Sequence, residues 1–459
     1  MSRQHPGQPR TRQETPDDEG RKAVESSNWP LAERIARKRL RKNAVDAFGL
    51  RYLGLALASQ GKVSEGFQAY ERALKILPRD PAVLVNAANI AGQLGNHVQA
   101  YEWAKRGTEV APGLALTWVT LLWPCYMTAR HQEAVEAAQH ARSLNPNPHE
   151  LLLLLNNLST NLRDLGRLDE ALQACREAMA MAPDWSLPYI NQMLFLQSRP
   201  ETTGMELRAA AEQYARQFEA ANKPHWPRFD DRSADPHRKL RVGFISPDYN
   251  MHPVMYFIEG VLPQLDRQHF EVHALYMQHL EDSVTLRVRR HVDRFHAVAE
   301  MGDVPLAQYI LGLEIDILID LAGHTAGSPL GAMRFKPAPV QVTWLGFPGT
   351  TGLTAMDWRI TDAVGDPPGA DAEYVERLWR MPDMFCVYRP MSRFPLYRYQ
   401  PLYAVQPAPA LRNGTITFGS CNNLSKVTDP VLRTWGAVLR AVPGARLLGE
   451  GKGFEHEQA

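Results

Sequence analysis

Four stretches of this chain can be laid over one another without a gap. They are VSEGFQAYERALKILP (Val63–Pro78), HVQAYEWAKRGTEVAP (His97–Pro112), HQEAVEAAQHARSLNP (His131–Pro146) and LDEALQACREAMAMAP (Leu168–Pro183). Each ends on a proline, and successive prolines are 34, 34 and 37 residues apart. Three further columns move in step: Gly61, Gly95, Ala129, Gly166; then Gly66, Ala100, Ala134, Ala171; then Ala73, Gly107, Ala141, Ala178. Small side chains let two antiparallel helices approach closely. Glycine or alanine eases the turn between them. Proline ends the second helix because it cannot continue the hydrogen-bond ladder. The columns therefore predict a stack of two-helix units. The three extra residues before the last column predict a longer turn near Asn147–Glu150.

A near-34-residue period with these columns is the tetratricopeptide pattern. It predicts an α-helical solenoid over residues 25–200. A half-unit, Leu31–Lys42, precedes the first full repeat. Its basic run (Arg34, Arg37, Lys38, Arg39, Arg41, Lys42) reads as a solvated face opposite Leu31, Ile35 and Leu40, or as a seat for an anionic partner. Residues 1–24 are polar and read as a disordered tail. Residues 201–238 read as a helix near Glu206–Ala221 followed by a linker of charges and prolines.

The bulk properties narrow the function classes. Hydrophobic content of 44% and charged content of 22% are those of ordinary globular protein. A net charge of +1 gives no global field for nucleic acid or membrane. The longest unbroken apolar run, Leu151–Leu155, is too short to span a bilayer. Cys125, Cys175, Cys386 and Cys421 are widely separated, so neither a zinc site nor another metal site is expected. Few scattered cysteines fit a reducing compartment, and a cytoplasmic location is expected.

After residue 238 the period changes. KLRVGFIS (239–246), FEVHALYM (270–277), IDILIDLAG (315–323), PVQVTWLG (339–346) and MDWRITD (356–362) read as strands. Helical stretches near Met255–Leu265, Ser283–Val292 and Leu306–Leu313 separate them. Strands alternating with helices predict a parallel sheet covered on both faces, with ligands at the carboxyl ends of its strands. Three strand-end loops are candidates: Ser246–Pro253, Gly323–Ser328 and Gly346–Gly352. Neither a GxGxxG nor a GxxxxGK[ST] motif is present, which excludes the common dinucleotide and P-loop sites.

RVGFISPDYNMHP, DLAGHTAG, RFKPAPVQVTWLGFPGTTGLTAMDWRITD and FGSCNNLSKVTDPVLRTWGAVLRAVP resemble the protein O-linked N-acetylglucosamine transferases. Those enzymes join tetratricopeptide repeats to a two-Rossmann (GT-B) catalytic unit. The resemblance covers roughly residues 45–448 and implies an N-terminal Rossmann-like half over 239–400. The C-terminal, nucleotide-sugar-binding half would begin at 401 and stop incomplete at 459. It implies inverting transfer of N-acetylglucosamine from UDP-GlcNAc to serine or threonine, with no metal and no cofactor beyond the donor. Acceptor proteins would enter through the tetratricopeptide groove. His252 falls at the family's active-site histidine and would take or orient a hydroxyl proton. His324 would line the same cleft. Gly346, Pro348 and Gly349 would shape its floor, Pro348 equally as a plain turn residue. Lys426 matches the lysine that meets the UDP diphosphate, and Asn423 replaces a glutamine that bonds UDP.

Two departures qualify this resemblance. The family's groove carries an asparagine ladder, whereas the matching positions here are Leu55, Asn89, Trp123 and Thr160. The short second half predicts weak donor binding and little activity for this chain alone. An interaction scaffold with a vestigial transferase domain is therefore the competing expectation, and transfer to asparagine a third.

Overall fold

The structure, a computed structural model, describes residues 16–233, 235–389, 406–422 and 426–450. The chain divides into two compact units, residues 1–167 and 168–459.

The first unit is helical. It comprises α1 (Pro16–Glu25), α2 (Trp29–Lys42), α3 (Ala47–Ala58), α4 (Val63–Ile76), α5 (Pro81–Gln93), α6 (His97–Val110), α7 (Ala115–Met127), α8 (His131–Ser143) and α9 (Pro148–Asp164). Side-chain caps start several helices: Asp46 accepts the Gly49 amide, and Asp80 accepts those of Ala82 and Val83. Leu50, Tyr70, Leu84 and Ile90 are all buried in one core between α3, α4 and α5. At about 1.5–3 kcal/mol per fully buried large apolar side chain, packing rather than helix propensity holds these short helices.

The columns have the geometry expected of them. Gly61, Gly95, Ala129 and Gly166 all have positive φ. After each, the next residue's amide reaches back to the helix just ended: Lys62 to Leu57, Asn96 to Ala91, Arg130 to Cys125, Arg167 to Leu162. This is a left-handed C-terminal cap repeated four times. A Cβ on Gly66 would lie 2.7 Å from Ile90 Cδ1, so the small column marks tight helix contact.

Two expectations need correction. Four residues separate α8 from α9, as they do α6 from α7, so the turn is not longer. The insertion instead extends α9 to 17 residues, against 13 in α7, behind a capping box of Asn147 and Glu150. The proposed tail also contains structure. Residues 16–25 form α1, because Ala23 buries against Ala32 and Ile35. Residues 1–15 lie outside the described residues.

The second unit opens with α10 (Leu168–Met181), α11 (Leu187–Ser198) and α12 (Gly204–Phe218). Its sheet has seven parallel strands in the order β3-β2-β1-β4-β5-β6-β7. They are β1 (Leu240–Ser246), β2 (Phe270–Tyr276), β3 (Arg294–Ala297), β4 (Ile317–Asp320), β5 (Val340–Thr343), β6 (Trp358–Asp362) and β7 (Arg377–Met381). Helices α13 (Met255–Ile258), α14 (Ser283–His291), α15 (Asp303–Gly312) and α16 (Leu330–Met333) connect them. Val242, Phe244, Val272, Tyr276, Ile319 and Val342 build the core on the sheet. Strands β3 and β7 were not expected. Both are short edge strands that carry the exposed Arg294 and Arg377, so no apolar run announces them.

The stretch 201–238, expected as helix and linker, is bound to the α/β layer throughout. Arg208 donates to Ala372 O (2.7 Å), Trp226 Nε1 to Arg334 O (2.8 Å), and Arg238 grips Asp316 with two bonds of 2.8 and 2.6 Å. Beyond residue 405, α17 (Ala410–Asn413), β8 (Thr417–Ser420), α18 (Asp429–Ala441) and β9 (Arg446–Gly449) form a two-stranded parallel β/α start.

Candidate active site

The strand order reverses beside β1: the chain moves to β2 and β3 on one side, then crosses to β4 on the other. In open α/β sheets the crevice outside such a reversal is where ligands sit. The loops after β1 and β4 flank it here.

The β1 loop is pinned from several directions. Tyr249, fully buried, donates to Phe244 O at 2.9 Å, and Thr285 Oγ1 donates to Tyr249 O at 2.6 Å. Asp282, which caps α14, accepts the Met251 amide at 2.7 Å. On this fixed loop His252 is part-exposed, and its Nδ1 lies 3.6 Å from Asp248 Oδ2. The ring can hold its proton at Nε2 and accept the Val254 amide at Nδ1 (3.4 Å). Alternatively it holds the proton at Nδ1, facing Asp248. The second tautomer leaves Nε2 free to take a hydroxyl proton, with a carboxylate behind the resulting imidazolium. Burial raises the Asp248 carboxyl above the usual aspartate range, while His252 pulls it back. Asp248 was missed in the sequence; its place four residues before His252 was the available signal.

His324 does not line an open cleft, which corrects the sequence expectation. It is fully buried, its Nε2 donates to Thr351 O at 2.7 Å, and its ring meets Tyr214 and Phe347 edge-on at 4.9 and 5.3 Å. Burial lowers its pKa to about 4, so the ring is neutral at physiological pH. It positions the loops after β4 and β5 rather than meeting solvent. Asp320 works beside it: its buried carboxylate accepts the Ala322 and Gly323 amides and the Thr343 hydroxyl. The signal for Asp320 was an aspartate closing an apolar run.

The β5 loop is formed by close backbone approach, as expected for Gly346 and Gly349. A Cβ on Gly346 would lie 2.3 Å from Leu321 O, and one on Gly349 would lie 2.7 Å from Leu207 Cδ2 of α12. Pro348 sits exposed at the loop's tip. The buried Arg359 donates to Phe347 O and Gly349 O, and the buried Glu376 accepts from Thr350 and Thr351. Beside these loops a groove of about 540 Å³ runs between α11–α12 and Thr325–Ser328, with Gln217, Asn222 and Arg334 among its walls.

Lys426 lies exposed in the segment between β8 and α18, at the carboxyl end of its strand. No contact joins it to His252 among the described residues, and Asn423 lies outside them. No cluster of three metal-ligating side chains occurs among the described residues, nor does any helix long and apolar enough to cross a membrane.

Residues 208–408 match the model of glycosyl transferase family 41, and residues 153–184 match a tetratricopeptide repeat. The chain is 42% identical over 228 residues to a probable UDP-N-acetylglucosamine–peptide N-acetylglucosaminyltransferase, SPINDLY, of Petunia hybrida. That match covers 49% of this chain and 24% of the plant protein. It is 33% identical over 154 residues to the UDP-N-acetylglucosamine–peptide N-acetylglucosaminyltransferase of Caenorhabditis elegans, covering 33% of this chain and 13% of that one. Among solved structures, a mutant of the Thermobaculum terrenum O-GlcNAc transferase superposes with a TM-score of 0.71 at 28% identity. That superposition covers 82% of this chain and 69% of the other. The chain spans about a quarter of the length of the SPINDLY proteins it matches.

Proposed function

We propose that this chain, in which tetratricopeptide repeats precede a glycosyl transferase family 41 region, serves transfer of N-acetylglucosamine from UDP-GlcNAc to protein hydroxyls. The carrying observation is the His252–Asp248 pair, held on a pinned loop at the strand-order reversal. There His252 Nε2 takes or orients the acceptor hydroxyl proton, and Asp248 supports the charge that forms. Lys426 meets the negative charge that builds on the leaving diphosphate, which favours the transition state over the bound donor. No metal step is needed in this scheme. The repeats present the acceptor protein, and the buried cysteines Cys125 and Cys175, neither in a disulfide, fit a cytoplasmic setting.

The test is incubation of the full chain with UDP-GlcNAc and a serine/threonine peptide, read by mass spectrometry. The expected result is a glycopeptide whose rate of formation falls about 100-fold in His252→Ala. Equal product from the variant, or none from the parent chain, overturns the proposal.

A scaffold role is the second reading. It is supported by the helical unit's own compactness and by Trp123, 43% exposed and stacked on Tyr126 at 5.3 Å. Binding of a partner that is unchanged by His252→Ala, with no glycopeptide formed, distinguishes it.

A further inference from the structure

The basic run of α2 is one wall of a groove that the proposed transfer does not use. The groove measures about 600 Å³ and is lined by Pro30, Arg34, Arg37, Arg41, Leu53 and Arg72, with Glu33 and Leu40 completing it. Arg34, Arg37 and Arg41 follow at three and four residues, so they stand about 4.5 and 6 Å apart along one helix face. Arg72, on α4, faces them across the groove. The floor is apolar: Leu53 is buried and Leu40 half-buried.

The charges inside the groove are unbalanced. Glu33 is already committed to Arg37 at 2.7 Å, Lys62 at 2.9 Å and Gln60 at 2.8 Å. Lys62 and then Arg37 pull its pKa down to about 2. Arg37 also reaches Glu65 at 3.4 Å. Arg34, Arg41 and Arg72 are exposed and have no carboxylate partner among the described residues. Three free guanidiniums thus surround a strip of leucine and proline.

We propose that this groove seats an acidic polypeptide segment with apolar residues between its carboxylates. Guanidiniums pair carboxylates through two parallel bonds, and Arg34 and Arg41 on one side of the groove and Arg72 on the other stand exposed and open to such pairing. The apolar floor separates this partner from a nucleic-acid backbone, whose phosphates would leave Leu40 and Leu53 unused. The site lies in the first unit and does not depend on transferase chemistry.

The test is fluorescence anisotropy on the full chain. The probe is a short labelled peptide with glutamate at alternate positions and leucine or serine between. The parent chain is expected to bind it, more weakly as salt rises. Joint reversal of Arg34→Glu, Arg41→Glu and Arg72→Glu should weaken binding about ten-fold or more and create binding to the matching lysine peptide. The three side chains are exposed, and an unchanged circular dichroism melt confirms folding. Three outcomes overturn the proposal: no binding by the parent chain, equal binding by the triple variant, or tighter binding of a labelled single-stranded DNA than of the glutamate peptide.

Discussion

Glu219, just past the end of α12, accepts the backbone amides of Thr354 at 2.9 Å and Ala355 at 2.7 Å, and the Thr354 hydroxyl as well. Only 3% of its surface is exposed. One carboxylate thus ties the last helix before the sheet to the loop that follows β5. Glu219→Ala would strand the buried Ala355 amide, while the two donors of the exposed Thr354 turn to water. At about 1–3 kcal/mol for a buried group left unpaired, the expected loss is about 2 kcal/mol. Differential scanning calorimetry should show the α/β transition moving down while the helical unit's transition stays in place. A uniform shift of both would refute this assignment.

Two glycines separate steric from conformational demand. Gly346 has no room for a Cβ, since Leu321 O would be 2.3 Å away and Ala322 Cα 2.6 Å away. Gly61 has open space but a φ of +77°. Gly346→Ala must push two loop backbones apart, at about 3 kcal/mol. Gly61→Ala meets only left-handed strain, about 1 kcal/mol. Urea midpoints of the two variants should differ in that order. If the proposed transfer takes place at this sheet edge, Gly346→Ala alone should also slow it, because it displaces the loop that carries Pro348.

Burial holds His324 and His296 near pKa 4, against 6.5 for an ordinary histidine. Between these values the unfolded chain binds protons that the folded chain refuses. Their contribution to stability is therefore fully kept above about pH 6.5, falls as pH drops toward 4, and then levels off. For the fully buried His324 the expected loss is about 2 kcal/mol by pH 5. His324→Phe keeps edge contacts with Tyr214 and Phe347 but drops the bond to Thr351 O. It should be weaker than the parent at pH 7.5 and should close the gap by pH 5, as read from urea midpoints. A midpoint that falls equally steeply in both proteins would place the pH dependence elsewhere, with His296 and His273 as the next candidates.

The parts of this fold that were legible in the sequence have local causes. The turn column showed because a left-handed residue wants glycine, and β1, β2 and β4–β6 showed because buried parallel strands are continuously apolar. His252 could be placed because its loop follows directly on such a strand. The burial of His324 was illegible, since it is decided by Tyr214, which comes 110 residues earlier. Likewise, 225–238, after the expected helix, looked like a linker because its partners, Arg334 and Asp316, lie far along the chain. The charged residues of that stretch read as solvated until Arg238 and Asp316 are seen together.

Ala129 is the exception in the turn column, and the repeats provide its controls. Its φ is +56°, while Gly61, Gly95 and Gly166 take +77°, +78° and +72° at the same position. The surrounding cap is unchanged, because Arg130 N still bonds Cys125 O at 2.8 Å, as Asn96 N bonds Ala91 O at 2.9 Å. Alanine therefore pays about 1–2 kcal/mol for its left-handed backbone. Glycine removes that strain but adds about 0.5–1 kcal/mol of chain entropy to the unfolded state. The balance favours Ala129→Gly by about 0.5 kcal/mol, and the reciprocal Gly95→Ala should lose about 1 kcal/mol. Urea unfolding of the helical unit measures both, with an unchanged slope showing that only the native cap has altered. A destabilised Ala129→Gly would mean that the Ala129 methyl makes a packing contribution larger than its strain.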